Sequence, residues 1–233
     1  ENPRPLYPGV NHTTVAEHTF GLLLGITKDI QSNAVAVQNG EWVAGWKKPV
    51  GNEIMGKTIG ILGLGRIGKE VAIRAKAFGM EIIAFDPYFD ETFGEKHSVK
   101  KCADMDEVLH NSDVVSLHCF LTKETEDMIN ATKIAEMRDG VIVLNCARGE
   151  LVNTNDIAGA LKSGKVGGYG ADVLDAEPPA PDHILIGAPN CIITSHIGSR
   201  THESVQRQAN RCLHNAINFF AGEDDVLCAN GVL

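Results

Sequence analysis

Three short stretches of this sequence each present one side chain suited to carbonyl chemistry: Arg148 within residues 145–150, Glu177 within 172–179 and His196 within 195–201. Arginine offers a planar, permanently charged fork for a carboxylate. Histidine exchanges a proton near neutral pH, and a neighbouring carboxylate can orient its ring. Any one of these in a loop is ordinarily a solvated side chain. Their order behind a glycine-rich turn makes the set worth treating as a unit.

That turn is Gly63-Leu64-Gly65-Arg66-Ile67-Gly68, directly after an apolar run and directly before a helical pattern. In this context Gly63 permits the tight turn, Gly65 lets backbone approach a pyrophosphate, and Gly68 lets helix and strand pack closely. Amide N–H groups at the helix start would face the phosphates. Asp86 ends the next apolar run, 18 residues beyond Gly68, and no Arg or Lys occurs between Asp86 and Glu95. A carboxylate there accepts from the adenosine ribose hydroxyls and repels a 2′-phosphate, which implies NAD rather than NADP. S-adenosylmethionine also uses a glycine loop with an acidic residue, but its usual G-x-G-x-G pattern meets Ile67 here.

The elements that must position these residues follow from periodicity. Runs at 58–62, 81–85, 113–117 and 141–144 are almost continuously apolar, with weaker runs at 168–173 and 191–194. Such strands are buried on both faces, as in a parallel sheet covered by helices. Helical patterns at 67–78, 105–110, 133–137 and 155–163 alternate with them, which predicts a doubly wound α/β (Rossmann) fold. Two longer helices flank this core. One spans 13–29, with Val15, Ala16, Phe20, Leu23, Leu24 and Ile26 on one face. The other spans 201–220, with Val205, Ala209, Leu213, Ala216, Ile217 and Phe220 near helical spacing. Residues 39–52 are irregular and carry Trp42 and Trp46.

Bulk properties narrow the partners. The 233 residues are 43% hydrophobic and 22% charged, enough for a sizeable core. A net charge of −9 argues against nucleic acid. Cys102, Cys119, Cys146, Cys191, Cys212 and Cys228 are scattered, with no C-x-x-C pair, and read as free thiols in the cytoplasm. No run of about 18 apolar residues suggests a membrane span. His12, His18, His97 and His110 lack metal-ligand spacing and are expected to be structural or exposed, so no metal is expected.

Taken together, Val15-Ala16-Glu17-His18, Gly63 to Gly68, His118-Cys119-Phe120-Leu121-Thr122 and the three loops resemble the D-isomer-specific 2-hydroxyacid dehydrogenase family, phosphoglycerate dehydrogenase-like members included. The resemblance covers nearly the whole chain. It implies an NAD-dependent oxidoreductase moving hydride between nicotinamide and C2 of a D-2-hydroxy or 2-keto acid. Arg148, Glu177 and His196 take the catalytic positions. His196 would take or return the hydroxyl proton, Glu177 would orient its ring and favour its charged form, and Arg148 would anchor the substrate carboxylate. Cofactor-contacting positions fall on Gly63, Gly65, Arg66, Ile67, Gly68, Asp86, Cys119, Cys146, Ala147, Arg148, Asp172, His196, Gly198 and Ser199. The family usually has proline where Phe120 stands.

The resemblance also implies a substrate domain ahead of the Val15 helix, where only 14 residues precede Val15. Residues 1–12 are therefore expected to be a remnant of the linker from that domain, 13–201 the NAD-binding Rossmann domain, and 202–233 a crossing helix returning toward the substrate domain. On this reading the chain binds NAD but turns over 2-hydroxy acids poorly by itself. A homodimer is expected through helix 13–29 and the Trp42/Trp46 segment. The alternative is an NAD-sensing interaction protein, like the corepressors that resemble this family and retain similar Arg, Glu and His residues.

Overall fold

The computed structural model describes residues 10–45 and 48–222. Trp46 and Cys228 lie outside the described residues. Seven strands form one sheet: β1 Thr58–Leu62, β2 Glu81–Phe85, β3 Val99–Lys101, β4 Val114–Leu117, β5 Val141–Asn145, β6 Val166–Ala171 and β7 Cys191–Ile193. All pairings are parallel and the order is β3-β2-β1-β4-β5-β6-β7. The direction of winding therefore reverses between β1 and β4, the switch point outside which ligands of open α/β sheets bind.

Alternation along each strand divides the core. Ile59 and Ile61 enter a cluster with Ala16, Phe20 and Leu23 of α1 (His12–Thr27) and Val71, Ala72 and Ala75 of α3 (Arg66–Ala77). Leu62, Val115, Leu117 and Val143 enter a second cluster on the opposite face. It includes Val108 and Leu109 of α5 (Met105–Asn111), Ile134 of α6 (Ala131–Glu136) and Ile157 of α7 (Thr154–Ser163). Apolar residues at consecutive positions are thus needed on both faces, which is why the strands read as unbroken hydrophobic runs. Each buried aliphatic side chain contributes about 1.5–3 kcal/mol to holding this frame.

Several boundaries differ from the periodicity. The helix expected over 13–29 ends at Thr27, because Asp29 takes a left-handed backbone (φ 50°), and α2 (Ile30–Gln38) starts beyond it. Helix α2 escapes a pattern-based reading because it buries none of its residues. The short α4 (Glu91–His97) and edge strand β3 likewise leave no mark in the periodicity. Their sequence is polar and too brief to show a period, and Asp90 starts α4 by accepting from the Phe93 amide. Helix α8 (His202–Ala221) forms as expected, capped by Thr201, but its apolar line faces outward. Val205, Leu213, Ile217 and Phe220 are exposed, and the buried positions of the helix are Ser204 and Asn215. No helix among the described residues is long and apolar enough to cross a membrane.

Candidate active site

Every loop singled out in the sequence leaves the carboxyl end of a strand, so the parallel topology gathers them along one edge of the sheet. The turn after β1 has the features its glycines suggest. Gly63 is left-handed (φ 95°), and a Cβ on Gly68 would lie 2.1 Å from the Gly63 carbonyl oxygen. Gly65 differs: nothing lies within 4 Å of where its Cβ would be, and it caps α3 without any side-chain hydrogen bond. Bare amides and open space at a helix N-terminus fit a pyrophosphate. Asp86, half-buried after β2, accepts from the Leu64 amide through Oδ2 at 2.7 Å and from the Tyr88 amide through Oδ1 at 2.7 Å. Each oxygen keeps a further lone pair for a ribose hydroxyl. The residues present therefore fit a dinucleotide.

After β5, buried Asn145 shapes the Arg148 turn. Its Oδ1 accepts from the Ala147 amide at 3.0 Å and its Nδ2 donates to the Arg148 carbonyl at 2.8 Å. Arg148 is exposed, and its Nη1 donates to the Ala147 carbonyl at 2.5 Å. The next residue fixes the spacing to β6. A Cβ on Gly149 would fall 1.9 Å from the Leu174 carbonyl carbon, so only glycine lets these two loops meet.

After β6 and β7 come the acid and the imidazole. His196 Nδ1 lies 2.8 Å from Glu177 Oε2, and Glu177 Oε1 accepts from the Leu174 amide at 3.2 Å. A carboxylate can only accept, so Nδ1 carries the shared proton and Nε2 is left as the basic nitrogen of the neutral ring. Both side chains reach solvent, at 51% for His196 and 38% for Glu177. Arg148 stands on the adjoining turn, and no hydrogen bond joins it to either residue among those described.

His196 has a left-handed backbone (φ 54°), which costs a non-glycine residue about 1 kcal/mol or more. Asp172 holds it there. Its buried carboxylate accepts from the Ile197 amide at 2.8 Å, the Gly198 amide at 2.7 Å and Thr194 Oγ1 at 2.6 Å, with His18 Nε2 at 3.3 Å. Burial pushes the Asp172 carboxyl up, but hydrogen bonds from His18, Thr194, Gly198 and Ile197 outweigh it and keep the group below the usual carboxylate range. Ser199 follows this turn and is partly exposed.

Cys119 and Cys146 flank the same edge as thiols. Burial pushes Cys119 up to about 11 and Cys146 up to about 12, so neither is a nucleophile at neutral pH. All five described cysteines are free, and no cluster of metal-ligating side chains occurs among the described residues. Sequence reasoning assigned no role to Thr194, Asn145 or Gly149 individually, whereas His18, expected to be structural or exposed, braces Thr194 Oγ1 at 2.8 Å. A polar residue, Asn145, closing the apolar run 141–144 was the one signal the sequence offered. A groove of about 480 Å³ between α2 and the start of β7, lined by Asp29, Val35, Asn39, Cys191 and Ile192 among others, contains none of the candidate catalytic residues.

Comparison with known proteins gives this arrangement a context. The family model described as "D-isomer specific 2-hydroxyacid dehydrogenase, NAD binding domain" matches residues 20–198. The D-3-phosphoglycerate dehydrogenase of Bacillus subtilis is 38% identical over 215 residues, covering 92% of this chain and 40% of that protein. The hydroxypyruvate reductase of Thermotoga maritima is 41% identical over 202 residues, covering 86% of this chain and 64% of that one. The crystal structure of D-lactate dehydrogenase from Aquifex aeolicus, complexed with NAD and lactic acid, superimposes with a TM-score of 0.85 at 32% identity, over 94% of this chain and 69% of that one. The chain thus spans well under half of the Bacillus relative's length.

Proposed function

The chain belongs to the D-isomer-specific 2-hydroxyacid dehydrogenase family, with residues 20–198 as its NAD binding domain, and from that premise we propose that it serves NAD-dependent interconversion of a D-2-hydroxy acid and its 2-keto acid. The observation that carries this reading is the 2.8 Å pairing of His196 with Glu177 on the edge of the sheet that also holds the glycine turn.

NAD, when bound, supplies the hydride acceptor or donor. Gly63 to Gly68 would hold its pyrophosphate and Asp86 its adenosine ribose. Arg148 would bind the substrate carboxylate through N–H groups not engaged by the Ala147 carbonyl. In the oxidative direction the C2–H bond breaks with its electron pair and the hydroxyl proton passes to Nε2 of His196. In the reductive direction that nitrogen returns it. Glu177 keeps the Nδ1–H proton in place, so Nε2 is the atom that reacts, and it counters the imidazolium charge. Cys119, Cys146, Ala147, Asp172, Gly198 and Ser199 would line or support the cofactor cleft, Asp172 chiefly by shaping the His196 turn.

Two further features belong to the proposal. The helix expected at 13–29 to carry a dimer surface instead packs Ala16, Phe20 and Leu23 into this chain's own core. The surface suited to a second copy is therefore α2 and the segment after it, which expose Ile30, Val35, Val37 and Trp42. Residues 13–201 act as the cofactor-binding unit, 1–12 as the end of a linker, and α8 as the crossing helix that leads back toward a substrate domain, in a reducing cytoplasm. The test is NADH oxidation by the full-length protein with hydroxypyruvate, glyoxylate and pyruvate. Turnover of at least one, lost in His196→Ala, is expected. NADH binding without turnover of any 2-keto acid would favour a nucleotide-sensing interaction protein instead.

A further inference from the structure

The loop that carries Glu177 is tied down by a second acid–imidazole pair that the reaction above does not use. His183 Nε2 lies 2.9 Å from Asp175 Oδ1, and Thr154 Oγ1 donates to Asp175 Oδ2 at 2.7 Å. The Leu185 amide donates to His183 Nδ1 at 3.4 Å, which leaves the ring proton on Nε2, facing the carboxylate. The His183 side chain is only 10% exposed, whereas that of Asp175 is 41% exposed. Burial raises the Asp175 carboxyl, but bonds from His183 and Thr154 bring it below its ordinary value.

These three residues join separate parts of the site. Thr154 opens α7, close behind the Arg148 turn. Asp175 lies two residues before Glu177, beside the contact that Gly149 makes with Leu174. Leu174 and Leu185 anchor the two ends of the loop in the core. Between them, Pro178, Pro179 and Pro181 supply no amide donors. The backbone bond inside the segment is that of the His183 amide to the Ala180 carbonyl at 3.0 Å, which ties His183 but leaves Asp175 to its side-chain partners. A carboxylate at 175 suits the junction, because its two oxygens accept from the hydroxyl and the imidazole at once.

We propose that Thr154, Asp175 and His183 are positioning residues, a clamp that sets the Glu177 loop against the Arg148 turn and so keeps His196 in its Nδ1–H tautomer. This rests on the proposed roles of Glu177 and His196. Loss of the clamp lets Glu177 drift from Nδ1, and the ring then reverts toward the Nε2–H form that predominates in water, which cannot accept a substrate proton at Nε2.

The experiment compares the full-length parent with Thr154→Ser, Thr154→Val and Asp175→Ala. Ring ¹⁵N shifts of His196, recorded at alkaline pH where the ring is neutral, report the tautomer. Steady-state kinetics and NADH titration accompany them. Thr154→Val leaves every charge in place, so it separates positioning from electrostatics and remains decisive if Asp175→Ala fails to fold. Parent and Thr154→Ser should show the Nδ1–H form. Thr154→Val and Asp175→Ala should move toward Nε2–H and lose about tenfold or more in kcat, with KM and NADH affinity unchanged. If both keep the parent tautomer and kcat, even with a lower melting temperature, the clamp is only structural and the proposal is overturned. The tautomer readout needs no turnover. A parent that holds Nδ1–H yet reduces no 2-keto acid would refute the function proposed above and leave the clamp to be decided by the shifts alone.

Discussion

His196 Nδ1 and Glu177 Oε2 stand 2.8 Å apart across a separation of 19 residues, each on the loop that follows a different strand. The contact divides the labour between the two ring nitrogens, one held by the acid and one left for chemistry.

From this relationship, His196→Ala should lower kcat by about 10²–10⁴-fold in the full-length protein. Glu177→Gln keeps the shape but loses the charge, and should fall between that variant and the parent. NADH affinity, measured by fluorescence, should hardly move in either. Equal kcat in parent and His196→Ala would remove the imidazole from the mechanism.

Asp86 should set the choice of dinucleotide. NADH is expected to bind at least about tenfold more tightly than NADPH, or roughly 1.4 kcal/mol, and Asp86→Ala should narrow that margin. Because Asp86 also accepts from the Leu64 amide, the variant should weaken NADH as well. Matching affinities of the parent for both cofactors would dismiss the assignment.

Two glycines of one turn should respond oppositely to alanine. In Gly65→Ala the new methyl enters open space, so thermal stability should stay within about 0.5 kcal/mol while NADH binding weakens. In Gly68→Ala it would lie 2.1 Å from the Gly63 carbonyl oxygen, so the fold itself should lose about 1–3 kcal/mol. Denaturant midpoints and NADH titrations of the pair separate the two effects. A stability loss in Gly65→Ala matching that of Gly68→Ala would contradict the geometry.

His118 should make the fold sensitive to mild acid. Part of the residue reaches the surface, but its Nδ1 is sealed off without a partner among the described residues, and Nε2 sits 2.8 Å from Ser116 Oγ. Burial lowers its pKa from 6.5 to about 4. The unfolded chain therefore takes up a proton below about pH 6.5 that the folded chain refuses until about pH 4. Stability is full above this window and declines through it by up to about 3 kcal/mol. Urea unfolding at pH 7 and pH 4.5 should show a smaller decline in His118→Gln. The Asp172 contribution, which has the same sign, is lost only at lower pH, as its depressed carboxyl protonates.

Helix α2 should bind its counterpart in a second copy. Ile30 is 54% exposed, Val35 49% and Val37 50%, a cost to solubility that an isolated chain gains nothing from. Light scattering should give a dimer at micromolar concentration, and Val35→Glu should return it to monomer. A monomeric parent under the same conditions would leave this surface to some other occupant.

The doubly wound sheet and the glycine turn were legible in the sequence, as were the places of Asp86, Arg148, Glu177 and His196 just past strand ends. Each is written in local terms: apolar runs for strands buried on both faces, glycines where backbone must approach, and chemically able side chains just past strand ends. Helix α2 and the outward stripe of α8 were less so. Burial is a property of neighbours, and an apolar residue carries no mark of whether anything covers it.

What only the tertiary structure decided is how those side chains are held. His196 adopts its left-handed backbone because Asp172, 24 residues earlier, is buried beneath its turn and takes the Ile197 and Gly198 amides. Asp172 is in turn held by Thr194, with His18 of α1 beside it, far away in sequence. The approach of Gly149 to Leu174 and the Thr154–Asp175 bond likewise join residues more than twenty positions apart. Such contacts depend on where packed helices and strands bring chain segments to within hydrogen-bond reach. A linear pattern with a period of two or 3.6 residues carries no information about that distance.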